Sequence, residues 1–291
     1  MGFWTLSRYA DVEAALHQPD VYISSKGIAV GVQGQSTDDP ANSVPMLLMM
    51  DGTEHRQLRT LVSGAFSPHR MAALEPAIRK ITTGLLDEMC SKDAADLVFD
   101  FSNPLPAIDI DGRSLTQGEL IGLGWLLLVA GHETTTNLIS NALILLDQYP
   151  DARAKLLADP SLIPGAIEEC LRFEAPVQGL ARTTTRAVEL HGQTIPADEM
   201  VLLLYGSANR DERKFEAPER FDVTRKPNEH LSFGFGSHFC LGSGLARLEG
   251  RIAFEELLAR VPDYHLRSDS VERMTSGPIR GAVRLPVDLG L

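Results

Sequence analysis

The ten residues FGFGSHFCLG, at positions 233 to 242, constrain the fold of this chain more than any other stretch. They combine three phenylalanines with three glycines and place Cys240 just before a helix predicted to begin near Leu241. Glycine lets the backbone turn sharply and lie close to a ligand, whereas phenylalanine favours burial. The unpaired N–H groups at a helix start favour a thiolate. The pattern therefore indicates a cysteine that faces something flat and apolar.

Three interpretations of Cys240 are open from the residues alone. A free cysteine is most often a buried structural residue. A zinc site could use His230, His238 and Cys240, but no second cysteine pair completes a tetrahedral set. The third interpretation is a thiolate ligand to a metal held inside a planar macrocycle, and the glycines and phenylalanines around Cys240 favour it.

Composition excludes several classes of partner. The 291 residues include 27 basic and 39 acidic side chains, for a net charge of -12. Such a surface argues against nucleic acid and anionic membranes as partners. The longest apolar run, residues 120–131, is shorter than the ~20 residues of a membrane span, and we find no signal-peptide pattern or membrane anchor. Three cysteines without paired spacing indicate a reducing compartment, which predicts a cytoplasmic protein.

Hydrophobic periodicity predicts a single domain over residues 1–291 that is mainly α with a small β component. A helix over 67–89 has Ser67 as N-cap and Pro68 at its first position. Its predicted core-facing stripe is Met71, Leu74, Ile78, Ile81, Leu85 and Met89. A short helix is predicted within 162–176, and strands are predicted within 187–205, with a turn at His191–Gly192, and within 279–289.

The segment 114–151 reads as one long, largely apolar helix that crosses the middle of the protein. Thr116 and Glu119 form a capping box at its start, and Pro150 ends it.

The motif AGHETTTN, residues 130–137, interrupts this apolar helix. Ala130 and Gly131 are small and allow a ligand to approach the backbone, while Glu133 and Thr134 form an acid and alcohol pair suited to relaying protons. Alternatively, the threonines bond back to preceding carbonyls as a plain polar break. An unpaired carboxylate inside an apolar helix is costly, which favours a functional role.

With these motifs in view, the chain resembles the cytochrome P450 family. FGFGSHFCLG resembles the family's haem-binding signature, with Cys240 as the thiolate ligand to the iron. The resemblance implies a shortened P450-like fold and bound haem b, with Phe233 shielding the sulfur and glycines such as Gly234 and Gly242 cradling the porphyrin. AGHETTTN is similar to the family's oxygen-activation motif, which implies that Ala130 and Gly131 adjoin the haem.

Other elements agree with this resemblance. EECLR matches the family's E-x-x-R element through Glu169 and Arg172, and FEAPERF resembles the segment that supplies a second arginine, Arg220. The resemblance implies a buried structural network that braces the cysteine loop, although alone such a pair is more often a solvated one. It also implies contacts to the haem propionates from four basic side chains: His55, Arg59, Arg182 and His238.

The chain departs from the family in length. Its beginning lacks the family's first helix and outer strand, and the step from NPLPA to IDIDGRSLT skips the helices that roof the substrate pocket. A missing cap implies an open pocket that wastes oxygen, a cap from a second chain, or poor folding. An uncovered distal face also favours self-association.

The resemblance implies a haem-thiolate monooxygenase that inserts one atom of O2 into an apolar organic substrate by hydroxylation or epoxidation. Electrons are expected from NAD(P)H through a ferredoxin or flavodoxin-type partner, which docks on the cysteine side near Arg247. A non-catalytic haem-binding protein or degenerate remnant is the alternative, and a peroxide-driven enzyme is a nearer variant.

Overall fold

Eight α-helices account for much of the described chain, which comprises residues 2–30, 46–92, 94–102, 127–267 and 270–290 of the computed structural model. The helices are α1 (Tyr9–Leu16), α2 (Gly52–Ser63), α3 (Pro68–Cys90), α4 (Thr134–Gln148), α5 (Pro150–Ala158), α6 (Ile163–Phe173), α7 (Tyr205–Ala208) and α8 (Ser243–Arg260). Two π-helical segments, Val98–Ser102 and Leu127–Glu133, precede α4.

Eleven short strands are described, and they form small sheets at the side of the helices. They are β1 (Trp4–Leu6), β2 (Tyr22–Ile23), β3 (Ala95–Asp96), β4 (Leu180–Thr184), β5 (Val188–Leu190), β6 (Gln193–Ile195), β7 (Met200–Leu203), β8 (His265–Leu266), β9 (Glu272–Arg273), β10 (Ala282–Arg284) and β11 (Pro286–Asp288). The largest sheet has the order β1-β7-β4-β2, with β1 parallel to β7 and the other pairs antiparallel. The prediction of a mainly α protein with a small β component is confirmed.

Helix α3 buries part of the predicted stripe, but in the middle of the helix the buried positions move on by one residue. Pro68 occupies the first turn after Ser67, as expected for a residue that has no N–H to satisfy. Ile78, Leu86 and Met89 are fully buried, whereas Ile81 of the predicted stripe is 37% exposed. Successive buried positions at Ile78, Thr82 and Leu86 are four residues apart, so the stripe follows the i, i+4 ridge of the helix.

The predicted long helix is described only in its second half. Residues 103–126, which include the proposed capping box of Thr116 and Glu119, lie outside the described residues. From Thr135 to Leu146 every residue of α4 is buried, as expected for a helix that crosses the core. The helix ends at Gln148, and Pro150 starts α5, because proline is accommodated best in a first turn.

The strand predictions also correspond to the structure. β5 and β6 pair antiparallel, and the turn between them has positive φ at both His191 (50°) and Gly192 (74°). Two consecutive positive φ values match the twist of the strands that flank a two-residue hairpin turn. The predicted strand in 279–289 is divided into β10 and β11, which join different sheets.

Two hydrophobic clusters stabilise the described chain. The larger joins α3, α4, α6 and α8 with the C-terminal strands, and the smaller joins α1, β1, β7 and α7. Whether residues 1–291 act as one domain stays a prediction. Among the described helices, none combines the length and the apolar character that a membrane span requires.

Candidate functional site

The cysteine loop between residues 231 and 242 is closed by its own backbone. The N–H of Cys240 donates to the carbonyl of Phe233 (2.8 Å), which folds the loop into a hairpin with the phenylalanine next to the cysteine. Gly234 and Gly236 have φ values of 66° and 70°, in the left-handed region that glycine adopts without strain. A Cβ on Gly236 would also lie 2.6 Å from the carbonyl oxygen of Leu16. These glycines therefore fix the shape of the loop.

Cys240 is partly buried at the entrance to α8. Burial raises the pKa of its thiol, while the backbone N–H groups of Gly242 and Ser243 and the charges of Arg59 and Arg247 act in the opposite direction. The helix start thus favours a thiolate as the sequence indicates, but burial has the larger effect. A bound cation is the kind of group that would bring the sulfur to its ionised form, since metal coordination deprotonates a thiol.

Four basic side chains converge beside the cysteine loop. The rings of His55 from α2 and His238 from the loop stack with centroids 4.2 Å apart. Arg59, one turn after His55, donates from Nη2 to the carbonyl of Phe239, the residue before Cys240 (2.5 Å). Arg182 extends from β4 and is only 3% exposed. The structure therefore brings together all four residues predicted to contact propionates.

These basic groups oppose one another electrostatically. The pKa of His238 is lowered to about 4, first by burial and then by the charges of His55 and Arg182, with Asp51 acting in the opposite direction. The pKa of His55 is lowered by burial and then by Arg59. Asp51 lies 3.7 Å from Nε2 of His238 and also accepts backbone N–H groups of the chain. The two arginines carry the positive charge of this cluster, and the lowered pKa values show that a further charge on either histidine is unfavourable unless an anion joins them. The cluster therefore fits the two carboxylates of haem.

The central helix opens where the motif AGHETTTN begins. Ala130 and Gly131 are exposed, and Glu133 and Thr134 are half-buried, although every residue from Thr135 to Leu146 is buried. Within the described residues, a Cβ built on Gly131 meets no atom within 4 Å. The segment Leu127–Glu133 is π-helical, a distortion that is common at functional sites. Oγ1 of Thr134 donates to the carbonyl of Ala130 (2.6 Å), which is the back-bonding expected of a simple polar interruption of the helix. This bond occurs beside the exposed Ala130 and Gly131, so the two interpretations of the motif are both represented in the structure.

Glu169 and Arg172 form a fully buried ion pair on α6. Nε and Nη2 of Arg172 each lie 2.8 Å from a carboxylate oxygen of Glu169, and neither side chain is exposed. The sequence alone favoured a solvated pair, and the buried geometry instead agrees with the network implied by the resemblance. Nη1 of Arg172 donates to the carbonyls of Asn209 and Pro218, which ties α6 to the segment leading to the cysteine loop.

The second arginine of this network is Arg225, which corrects the prediction of Arg220. The side chain of Arg220 is 69% exposed and lies 3.8 Å from Asp222, and only its backbone carbonyl accepts hydrogen bonds from the network. Nε of Arg225 lies 3.2 Å from Oε2 of Glu169. The two arginines are five residues apart in one irregular segment, and only tertiary structure decides which of them turns inward.

The histidines of the alternative zinc set have other partners. His230 contacts Glu168 (3.1 Å), and His238 stacks on His55. In the part of the chain that the structure describes, no three His, Cys, Asp or Glu side chains are grouped so that they could hold a metal ion. Asp51 and Glu168 also contact residues of this site but were not predicted. The sequence indicates them only by position, since Asp51 lies shortly before His55 and Glu168 directly precedes Glu169.

A helical fold that presents a cysteine loop, a basic cluster and an open face of a buried helix suits one flat dianionic ligand. The model of the cytochrome P450 family matches residues 105–262. Cytochrome P450 107B1 of Saccharopolyspora erythraea is 35% identical over 363 residues, covering 99% of this chain and 89% of the relative. The vitamin D(3) 25-hydroxylase of Pseudonocardia autotrophica is also 35% identical, covering 99% of this chain and 88% of the relative.

Solved structures agree with these relatives. The hydroxylase HmtN, involved in himastatin biosynthesis, has a TM-score of 0.87 at 34% identity, covering 99% of this chain and 91% of the neighbour. CYP109E1 from Bacillus megaterium in complex with testosterone has a TM-score of 0.91 at 29% identity, covering 99% of this chain and 92% of the neighbour. The chain belongs to the cytochrome P450 family and is a haem-dependent monooxygenase.

The relatives are longer within the matched region. The comparison with cytochrome P450 107B1 spans 363 residues, against 291 in this chain. A shortened family member is therefore confirmed, and the relatives contain residues that have no counterpart in it.

Proposed function

We propose that this chain inserts one oxygen atom of O2 into an apolar organic substrate by hydroxylation or epoxidation. Electrons come from NAD(P)H through a ferredoxin or flavodoxin-type partner in the cytoplasm. The observation that carries the proposal is the closed loop that holds Cys240 beside the four-residue basic cluster. Two relatives support an apolar substrate, since one is named a vitamin D(3) 25-hydroxylase and another was solved with testosterone.

Each group of site residues has a separate task toward haem. Cys240 supplies the sulfur ligand, with Phe233 beside it, and Gly234 and Gly242 leave room for the porphyrin. His55, Arg59, Arg182 and His238 bind the propionates, which relieves the repulsion among them. Ala130 and Gly131, which are small and exposed, would let the bound haem approach the central helix. When bound, haem supplies the activation of O2 and the one-electron chemistry.

Glu133 and Thr134 are the catalytic residues of the proposal. The hydroxyl of Thr134 donates to the carbonyl of Ala130, and its oxygen lone pairs remain available to accept a proton donor from the pocket. Glu133 is half-buried at the preceding position, where water can supply it with protons. Together they move protons from solvent to the oxygen-binding side of the site.

A second candidate function, a non-catalytic haem-binding protein or degenerate remnant, is favoured by the difference in length. If the residues that the relatives have in addition include the roof of the pocket, the substrate is poorly enclosed. The same loss would leave an apolar face uncovered and would promote self-association.

Reconstitution separates these functions. The purified haem protein is incubated with a ferredoxin, its reductase, NADPH and a panel that includes vitamin D3 and testosterone, and products are identified by mass spectrometry. Oxygenated product that depends on every component supports the monooxygenase. A thiolate haem spectrum without product would support the haem-binding protein. Product with hydrogen peroxide alone would point to the peroxide-driven variant.

A further inference from the structure

Glu168 faces away from the buried network of its neighbour Glu169 and binds Arg247 of α8 instead. Its Oε1 lies 2.7 Å from Nε of Arg247 and its Oε2 lies 2.8 Å from Nη2, a bidentate arrangement that fixes the plane of the guanidinium. Nε2 of His230 lies 3.1 Å from the same Oε2. Burial would raise the pKa of the Glu168 carboxyl, but hydrogen bonds to His230 and Arg247 outweigh it and lower the pKa to about 2.

The guanidinium of Arg247 lies over the ring of Phe233. Its central carbon is 4.4 Å from the ring centroid, within the range of a cation–π contact. The His230 ring packs near the same phenylalanine, with centroids 5.8 Å apart. The residue that carries this ring is bonded to the cysteine through the backbone, because the Phe233 carbonyl accepts the N–H of Cys240 at 2.8 Å. A continuous set of contacts therefore runs from Glu168 through Arg247 and Phe233 to Cys240.

The contacts of the Arg247 side chain are therefore with residues of the same chain. Its side chain is 39% exposed, but two of its nitrogens are used by Glu168 and one face covers Phe233. The expectation that Arg247 meets an electron-transfer partner was based on its position in the sequence. The observed contacts direct its charge toward the cysteine loop.

We propose that Arg247 is a positioning residue that sets the reduction potential of the haem iron. Glu168 and His230 hold the guanidinium in place, and the guanidinium keeps Phe233 and a fixed positive charge beside the Cys240 sulfur. Since reduction adds one negative charge to the iron and its ligand, a nearby cation stabilises the ferrous form. The inference rests on the proposed function, in which Cys240 binds the iron.

Neutral variants of Arg247 test this role. Arg247→Gln and Arg247→Leu both remove the charge, and the leucine keeps an apolar contact with Phe233. We expect each to shift the ferric–ferrous equilibrium about tenfold toward the ferric form, the effect of one charge over ~10 Å at an effective dielectric constant of ~20. This shift lowers the midpoint potential by about 59 mV. Arg247→Lys retains the charge, so its midpoint potential should recover at least half of the difference between the neutral variants and the wild type.

Arg251→Gln is the matched control, one turn further along α8. Arg251 also binds two carboxylates, at 2.7 Å to Glu75 of α3 and at 3.1 Å to Glu255 one turn along its own helix. Midpoint potentials are measured by dye-equilibrated titration of the haem-containing proteins, together with melting temperatures. The control should lose a comparable amount of thermal stability but change the potential less, because its charge lies one turn further along α8 from Cys240.

The outcomes separate this inference from the proposed function. An unchanged potential in both neutral Arg247 variants, or an equal shift in Arg251→Gln, overturns the positioning role while the wild-type protein keeps its thiolate haem spectrum. A wild-type protein without that spectrum overturns the proposed function itself. A lower potential in the neutral variants, which lysine restores and which is clearly smaller in the control, supports the role of Arg247.

Discussion

Replacing Glu169 with glutamine tests whether the buried network holds the cysteine loop in place. The carboxylate is fully buried and accepts from the guanidinium of Arg172, Nε of Arg225, the backbone N–H of Asp222 and the side-chain amide of Asn228. It therefore joins α6 to the whole segment that precedes the loop. Glutamine keeps the size of the side chain but removes its charge and one acceptor oxygen.

The expected cost follows from the burial of both partners. Neither Glu169 nor Arg172 is exposed, so solvent does not screen the charge that is left behind. Breaking a buried pair by neutralising one partner costs about 3–5 kcal/mol. Since a folded protein is stable by only ~5–15 kcal/mol, this is a large share of the total. At ~2–4 °C per kcal/mol, the melting temperature should fall by about 10 °C.

The assay is thermal unfolding of the haem-containing protein, followed by far-ultraviolet circular dichroism and by the haem absorbance. The control is Glu88→Gln, which breaks the pair with Lys92 at 3.1 Å, where the carboxylate is 68% exposed. Such exposed pairs contribute about 0–1 kcal/mol. If Glu169→Gln melts as close to the wild type as this control does, the network does not brace the loop and the reasoning is refuted.

Three further predictions concern proton delivery, pH and haem binding. Thr134→Ala should lower product formation by up to ~10²-fold and raise peroxide release per NAD(P)H without changing haem uptake. An unchanged ratio of product to consumed NAD(P)H would exclude proton delivery by Thr134. Burial raises the pKa of Glu249 to about 8 against a hydrogen bond with Thr135. An unfolded glutamate carboxyl ionises near pH ~4.3, so burial of Glu249 lowers the stability of the folded protein increasingly from there up to about pH 8. Glu249→Gln should therefore raise the melting temperature more at pH 8 than at pH 5, and an equal gain at both pH values would contradict this. Arg182→Gln removes a buried cation and should weaken haem binding about tenfold in a haem titration, whereas equal affinity would remove Arg182 from the propionate site.

Local sequence patterns predicted the parts of the fold that depend on nearby residues. Gly234 and Gly236 of the cysteine loop adopt positive φ values that glycine reaches without strain, and the turn at His191–Gly192 joins two paired strands. Proline marks the starts of α3 and α5, and Met71, Ile78 and Met89 of the predicted stripe on α3 are buried. Thr82 and Leu86 are buried in place of the predicted Ile81 and Leu85. These features are encoded in a few consecutive residues.

Contacts between distant segments could not be predicted in the same way. Arg220 and Arg225 lie in one irregular segment, and burial of Arg225 against Glu169 depends on how that segment crosses α6. The pairing of Glu168 with Arg247 joins helices that are 79 residues apart in sequence. Each of these charged residues would be an ordinary surface residue if only its neighbours were known, so the predicted site lacked the pairs of Glu169 with Arg225 and of Glu168 with Arg247.

The most direct test of this account is the absorbance spectrum of the purified protein, reduced and exposed to carbon monoxide, for the wild type and Cys240→Ser. The account predicts the long-wavelength band of thiolate-ligated haem in the wild type and its loss in the serine variant. A wild type that takes up no haem, or a band that persists after Cys240 is replaced, would contradict it.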